Sequence, residues 1–311
     1  MRDYAILYTI QKLLLWSNRF PLPGKEFGMS RDKDNFIMLP TVDFCFKGLM
    51  ENPKVRQGFI AALLNKAPEE IKETVLLPTI LRREYADDKS GILDVRVLLY
   101  DGAQMDMEMQ VASFEFWDRR VIFYLSKMFA DQMKKGESYD KLQKCIHVSI
   151  LNFVHVPDDE ECYRRIAFVD ERTGKIYSDL LEIQILELPK LSKKMKSESE
   201  VVKWMRFFSG KSREEFVDMA KTSEYLEEAY RTLEQLSADD IKRMEYEARE
   251  KALRDYNSQM SSALARGQKV GEQIGEERTK KIFKLHLKGK APEEIAEICN
   301  LPVERVKQIL E

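Results

Sequence analysis

Two neighbouring segments alternate apolar and polar residues with the period of a β-strand, and a turn sequence separates them. In the stretch LDVRVLLYDGAQMDMEMQV, residues 93–111, the apolar rows fall on odd-numbered positions: Leu93, Val95, Val97, Leu99, Met105, Met107, Met109 and Val111. Successive strand side chains point to opposite faces, so both rows can be buried together only if odd-numbered residues pair with odd-numbered ones. The sequence therefore predicts a β-hairpin with a three-residue loop, Asp101 to Ala103, or a bulge near Gly102.

The polar row of this hairpin has an unusual composition. In the predicted register Asp94 lies opposite Gln110 and Arg96 lies opposite Glu108, so Asp94, Glu108 and Gln110 share a face although these residue types form strands poorly. Two carboxylates and an amide at this separation suit Mg²⁺ or Mn²⁺, and such a metal can activate water and stabilise the charge of a phosphate. The spacing alone favours an ordinary solvated strand face.

Helix and strand signals alternate from residue 36 to residue 208. The segment 42–66 has helical apolar spacing with a break at Asn52-Pro53, and Asp43 is placed to cap its first helix. Pro78 splits a strand-like run, which predicts an edge strand or a loop. A helix follows the hairpin and should end near Gly136; its predicted buried stripe is Trp117, Val121, Tyr124, Leu125 and Met128.

Three further strands are predicted after that helix. The run KCIHVSILNFV, residues 144–154, is apolar on both faces, as expected for a covered central strand. CYRRIAFVD and LLEIQILEL are the other two, and a short helix ending at Gly210 follows them. His147 and His155 are predicted as a core histidine and a loop histidine rather than ligands. The pattern predicts an α/β fold with a mixed-sheet core flanked by helices.

The character of the chain changes at residue 211, where strand signals disappear. Residues 237–290 read as one long charged helix punctuated by Gly267, Gly271 and Gly275, which either weaken the helix or allow another helix to approach closely. Two short amphipathic helices around Asn300-Leu301-Pro302 resemble a small helix-turn-helix. The predicted division is 1–35, an N-terminal extension; 36–208, the α/β domain; 209–280, a charged helical region; and 281–311, the terminal pair.

Charge and composition narrow the function classes. The formal net charge is −2 and the pI about 6.1, so any nucleic-acid binding must depend on a local basic patch. Four scattered cysteines without metal-finger spacing, no apolar run of membrane-spanning length and no cleavable leader predict a cytoplasmic protein with free thiols. The glycines of GQKVGEQIGEE follow no strand, so no nucleotide cofactor is expected there.

The order of elements adds a family resemblance. A helix, a strand-turn-strand unit with Asp and then Glu-x-Gln, a long helix and a central strand resemble the PD-(D/E)XK, or restriction-endonuclease-like, fold. The segments VDFCFKGLM, GILDVRVLLYDGAQMDMEMQ, RRVIFYLSKMFADQMKKGESYDKLQKCIHVSILNF, ILELPKL and KWMRFF resemble the Rpn family of recombination-promoting nucleases, also classed with transposases. The resemblance covers roughly residues 40–208, and the glycine-punctuated helical tail is similar as well.

The resemblance implies roles for individual residues. Asp94 becomes the motif aspartate and Glu108 the second metal-binding acid, with Mg²⁺ or Mn²⁺ as the expected cofactor. Gln110 stands where many members of the wider fold carry lysine, so it can orient water but supplies no charge. Arg120 matches a family arginine on the next helix, and Asp43 is a candidate third acid whose alternative role is the helix cap. Candidates for the missing charge are Arg120, Lys127 and Lys47.

Two functions of different classes follow. The first is a metal-dependent DNA endonuclease that hydrolyses phosphodiester bonds, linked by the resemblance to recombination of mobile DNA. The second is a non-catalytic DNA- or protein-binding assembly protein on a nuclease scaffold. In both, the helical tail is expected to form a homo-oligomer, most simply a dimer, while the terminal pair, with only Arg305 and Lys307 on its second helix, favours a structural role over base recognition.

Overall fold

A six-stranded mixed sheet lies at the centre of the fold. The computed structural model describes residues 36–81, 93–113, 115–192 and 198–310. Its strands are β1 (Thr74–Leu77), β2 (Val95–Leu99), β3 (Gln104–Gln110), β4 (Cys145–Leu151), β5 (Tyr163–Val169) and β6 (Ile176–Glu187). The order is β1-β2-β3-β4-β6-β5; β4 runs parallel to β3 and β6, and the other pairs are antiparallel. The predicted mixed α/β core is confirmed, with every residue of β4 buried at its centre.

The hairpin of β2 and β3 has the predicted parity but not the predicted register. Val95 pairs with Met107 and Val97 with Met105, so odd-numbered residues do face odd-numbered ones. The loop, however, is Tyr100 to Gly102 rather than Asp101 to Ala103, because Leu99 donates its N–H to the Ala103 carbonyl. Gly102 takes the left-handed conformation that closes this loop, with φ of 87°. As a result Arg96 faces Asp106, and Asp94 lies level with Glu108 instead of Gln110.

Nine α-helices surround and extend the sheet within the described residues. They are α1 (Asp43–Glu51), α2 (Pro53–Leu64), α3 (Trp117–Ala130), α4 (Glu200–Ser209), α5 (Arg213–Ala220), α6 (Glu224–Ala238), α7 (Asp240–Leu287), α8 (Pro292–Cys299) and α9 (Val303–Leu310). The break between α1 and α2, the edge position of β1 before Pro78, the end of α4 at Gly210 and the buried stripe of α3 all follow the sequence predictions.

Two predicted helix boundaries are wrong. Asp43 is the first residue of α1 and not its cap; Val42 occupies the cap position and makes no side-chain hydrogen bond there. The side chain of Asp43 is instead paired with Lys47 and Arg249. Helix α3 ends at Ala130, well before Gly136, which has a φ of 88° in the following turn.

Helices α6 and α7 pack against the first two helices of the α/β domain. Glycines make room for this contact: a Cβ on Gly58 would lie 2.5 Å from Cβ of Tyr225 in α6. The backbone N–H of Leu39 donates to the Tyr246 hydroxyl of α7, at 3.1 Å. The predicted division at residue 208 stays a prediction, and the extension 1–35 lies outside the described residues.

Helix α7 is a single helix of 48 residues, as the sequence suggested. An added Cβ on Gly267, Gly271 or Gly275 would meet no heavy atom of the described chain within 4 Å, so no neighbouring segment uses these glycines for close packing. At its far end α8 and α9 fold back on α7 around Ile282, Ile295 and Val306. Across residues 36–310, apart from the gaps, no helix combines the length and apolar character needed to cross a membrane.

Candidate metal-dependent site

The polar row of β3 is buried beneath helix α3. Asp106 and Glu108 are 1% and 0% exposed. They pair with His147 and Ser149 of the parallel strand β4, whose neighbours Cys145 and Leu151 on the same face pack against α3. This face therefore differs from a solvated strand surface, because it buries two neighbouring carboxylates, which is unfavourable in free energy.

Asp94 and Glu108 form the acidic pair that the sequence pointed to. Glu108 sits in the middle of β3, and Asp94 is the residue that precedes β2, at the level of Glu108. The backbone N–H of Met109 donates to Asp94 Oδ2 at 3.3 Å, which fixes the Asp94 carboxylate beside β3. Burial raises the pKa of Asp94, and the positive charge of Lys47 offsets part of that effect.

Arg120 of α3 reaches the Glu108 carboxylate from the helix side. Its Nη2 lies 3.3 Å from Oε2 and 3.4 Å from Oε1 of Glu108. The guanidinium also lies over the rings of Tyr124 and Trp117, with its carbon 5.0 and 5.5 Å from the ring centroids. Burial and the neighbouring Asp106 charge raise the pKa of Glu108 to about 7, and Arg120 only partly opposes them. The pairing of Arg120 with this site is thus a direct contact.

A second cation lies on the other carboxylate. Lys47 of α1 places its Nζ 2.9 Å from Asp94 Oδ1 and 3.7 Å from Asp43 Oδ2. Arg249 of α7 then donates from Nη1 to the same Asp43 oxygen at 2.8 Å. A chain of alternating charges therefore runs from the long helix to the motif aspartate. The sequence reasoning listed Lys47 last among three cations and missed Arg249, which is far away in sequence.

Behind Glu108 lies a buried polar chain that the sequence reasoning also missed. His147 Nδ1 is 2.7 Å from Asp106 Oδ2, and His147 Nε2 is 3.0 Å from Ser149 Oγ. Burial alone would lower the pKa of His147, but the hydrogen bond with Asp106 outweighs it and the pKa is raised. The prediction of His147 as a core histidine fits, since it is fully buried. Asp106 Oδ1 has no hydrogen-bond partner within the described part of the chain.

The remaining candidates lie further from the acidic pair. Gln110 ends β3 on the same face as Glu108, one strand repeat beyond the level of Asp94, and is partly exposed. Lys127 lies in the last turn of α3, and among the described residues no ion pair links it to Asp94 or Glu108. His155 lies in the loop after β4 and contacts Asp118, in keeping with the predicted loop histidine.

The donor set suits a hard divalent cation. Asp94 and Glu108 lie at the same level of the hairpin, and the negative charge of Asp94 contributes to the raised pKa of Glu108. Over residues 36–310, without the gaps, no three His, Cys, Asp or Glu side chains are gathered in a ready-made metal cage. Mg²⁺ commonly takes one or two carboxylates and keeps several waters, so two acids are sufficient for it. The residues present therefore fit such a cation, which Asp94 and Glu108 would hold.

Comparison with known proteins identifies the family. The model of the PD-(D/E)XK nuclease family transposases matches residues 40–263, well over half of the chain. The chain belongs to this family. The match includes the whole sheet, the acidic pair and the first half of α7, so the PD-(D/E)XK fold and the Rpn-type resemblance are confirmed. No curated protein and no solved structure showed significant similarity to the chain.

Membership of the PD-(D/E)XK nuclease family transposases gives a nuclease-like fold, a family that generally uses divalent metals, and a family expectation of DNA binding. Family membership also bears on the hairpin of β2 and β3. The matched range includes Asp94, which directly precedes β2, and Glu108 and Gln110 of β3, the positions for which the sequence predicted the Asp and Glu-x-Gln motifs. The roles of Asp94, Glu108, Asp43, Arg120 and Gln110 in this particular chain stay predictions.

Proposed function

We propose that the protein is a divalent-metal-dependent DNA endonuclease that hydrolyses phosphodiester bonds, and that it acts in recombination of mobile DNA. The observation that carries the proposal is the Asp94–Glu108 pair, held level on two strands with one cation on each carboxylate. Burying the charged carboxylate of Glu108 costs free energy, and binding of a metal ion would recover it. A strand with only a structural role would not require this burial.

The residues of the chain have separate tasks in this proposal. A divalent cation held by Asp94 and Glu108 would supply a water of lowered pKa and offset charge on the phosphate. Gln110 hydrogen-bonds the attacking water through its amide and carries no charge of its own. Arg120 holds Glu108 in place and offers its remaining N–H groups to a phosphate oxygen.

Cleavage of supercoiled plasmid tests the proposal. The purified protein is incubated with Mg²⁺, Mn²⁺ or EDTA, beside the isosteric variants Asp94→Asn and Glu108→Gln. Asp179→Asn, an exposed acid on β6, is the matched control. We expect nicking and linearisation that need metal, fall by at least about a hundredfold in the two site variants, and are unchanged in the control.

Calorimetric titration with Mn²⁺ separates this proposal from the alternative of a non-catalytic binding protein. Loss of the binding heat in Asp94→Asn with an unchanged melting temperature supports the metal site. Metal-independent cleavage, or equal cleavage by Asp94→Asn, Glu108→Gln and the wild type, would contradict the enzyme assignment. Retarded DNA migration without any cleavage would favour the binding protein.

The proposal includes a homodimer formed through helix α7. Beyond its contact with α1, this helix carries an apolar row with heptad-like spacing that starts at the half-buried Leu253 and continues through the exposed Tyr256, Met260, Ala263, Gly267, Val270 and Ile274. Met260 is 53% and Val270 52% exposed. The row extends over about 32 Å of helix, and three heptads of this spacing are the seam of a two-helix pair. A second copy of α7 is the occupant that matches its length and straightness, and the glycines would let the two backbones approach closely.

Light scattering during size-exclusion chromatography tests the dimer. Met260→Glu places a charge in the row and is expected to give a monomer. Met244→Glu is the matched control, because Met244 is 72% exposed on a different side of α7. Point substitution is preferable to removing residues 211–311, since α6 contributes buried Leu233 and Leu236 to the packing on α1 and α2. A dimer that survives Met260→Glu would contradict this interface.

The terminal helices α8 and α9 are assigned a structural role. Arg305 donates a hydrogen bond to Gln308, and Lys307 forms an ion pair with Glu293. The two cationic side chains that could contact a DNA base therefore bind other residues of α8 and α9. Their apolar sides are buried against the end of α7. DNA contact is therefore assigned to the surface around the hairpin and α3.

A further inference from the structure

The candidate site lacks one positive charge that the wider fold provides, and a lysine elsewhere in the chain can supply it. Gln110 stands where the wider fold carries a cationic lysine, and an amide cannot neutralise a phosphate. Arg120 already pairs with Glu108 through Nη2 and is held over two aromatic rings, so only its other N–H groups can reach a phosphate. Lys47 pairs with Asp94 and with Asp43 of its own helix, and its side chain is 37% exposed, so it can reach a bound phosphate by a change of side-chain conformation.

We propose that Lys47 of helix α1 is the catalytic cation of this site and contacts the phosphate, while Asp43 and Arg249 position it. This inference rests on the endonuclease function proposed above. The ammonium is 2.9 Å from one carboxylate oxygen of Asp94, so it lies directly beside a carboxylate that would hold the cation. Asp43 retains the lysine at the site from its other side, and Arg249 of α7 orients Asp43.

This placement gives Lys47 two opposite effects. Its positive charge lies on a metal ligand, so it disfavours a divalent cation at Asp94 through like-charge repulsion. The same charge stabilises the additional negative charge of the phosphate during hydrolysis. Removing it must therefore strengthen metal binding and slow cleavage at the same time. If the role of Lys47 were only structural, its removal would weaken metal binding, slow cleavage and lower the melting temperature.

The test compares Lys47→Gln and Lys47→Arg with the wild type, using Lys54→Gln as the matched control. Lys54 lies on α2 and pairs with Glu224 at the surface. Mn²⁺ affinity is measured by calorimetry, and single-turnover cleavage at saturating Mn²⁺ is measured on the same samples. We expect Lys47→Gln to bind Mn²⁺ on the order of tenfold more tightly and to cleave on the order of a hundredfold more slowly. Lys47→Arg should restore part of the cleavage rate.

Each other outcome overturns the assignment. Cleavage by Lys47→Gln within about twofold of the wild type would exclude a catalytic role while leaving the endonuclease intact. Weaker Mn²⁺ binding accompanied by a lower melting temperature would show a structural lysine. If the wild type fails to cleave with either metal, the endonuclease proposal fails, and the catalytic role of Lys47 falls with it. The calorimetric comparison then still reports whether Lys47 and metal compete for Asp94.

Discussion

His147 Nδ1 and Asp106 Oδ2 lie 2.7 Å apart in the interior, on the same sheet face as Glu108. The imidazolium form of His147 can donate to Asp106 and to Ser149 at once. In that form the pair places a positive charge and a negative charge directly behind the acidic motif. It therefore affects both the stability of the sheet and the charge of Glu108.

Asp106→Asn removes the anionic partner of this buried pair. Because His147 then loses its compensating charge, we expect a destabilisation of about 3 kcal/mol. Urea denaturation at pH 7 measures it, with Asp179→Asn as the exposed control. A change below about 0.5 kcal/mol would show that the Asp106–His147 contact does not stabilise the fold.

Glu108 makes the metal-free protein sensitive to pH. Its pKa rises from 4.5 to about 7 on folding, so the native state holds a proton that the unfolded state has lost between these values. Stability must therefore fall as the pH rises from 4.5 to 7, by on the order of 3 kcal/mol. Glu108→Gln should remove this dependence and be more stable than the wild type at pH 8 in EDTA. Parallel stability–pH curves for the two proteins would refute the assignment.

Glu182 of β6 should show the opposite dependence. Burial raises its pKa, but hydrogen bonds from Arg165, Lys144 and Gln184 outweigh this effect and bring the pKa down to about 2. The stabilisation is therefore complete above pH 4.5 and is lost as the pH falls toward 2, amounting to about 3 kcal/mol. The stability difference between the wild type and Glu182→Gln should shrink over that range. Glu171→Gln serves as the surface control, and a constant difference for Glu182→Gln would contradict the prediction.

Gly58→Ala tests the packing of α2 on α6. The new Cβ would stand 2.5 Å from Cβ of Tyr225, so the helices must separate, at a cost of about 1 to 3 kcal/mol despite the better helix propensity of alanine. At Gly267 an added Cβ meets nothing in the described chain, so in the Met260→Glu background, which removes the proposed dimer contact, Gly267→Ala should be neutral or stabilising. Thermal unfolding of both variants gives the comparison; equal shifts would argue against the close approach.

Much of the sheet could be predicted from local pattern because strand periodicity is a local property. The parity of β2 and β3, the buried strand β4 and the α3 stripe all followed from it. The register was wrong by one loop position. Gly102 is the residue that tolerates positive φ, and placing it last in the loop would have given Tyr100 to Gly102.

The site was less accessible to sequence reasoning, because its partners come from distant segments. Asp94 and Glu108 share one hairpin and were found; Arg249 reaches Asp43 from 206 residues away and was not. The burial of the polar row depends on α3 covering it, which no spacing within the hairpin could reveal. The predicted position of Asp43 was wrong for a related reason. An aspartate in the first turn and one at the cap are only one residue apart in sequence, and their different contacts are visible only in the structure.

The direction of α7 has a geometric consequence for a double-strand break. Arg249 lies at the end of α7 that contacts Asp43 beside the candidate site, and the midpoint of the apolar row lies near Leu264, about 22 Å further along the axis. Parallel pairing would set the two reaction centres side by side, at one level of the duplex. Antiparallel pairing would separate them by about 45 Å, the length of roughly 13 base pairs. The number of helical residues between Arg249 and the apolar row would then set the stagger between the two cuts. Inserting one heptad between Arg249 and Leu253 would lengthen that stagger.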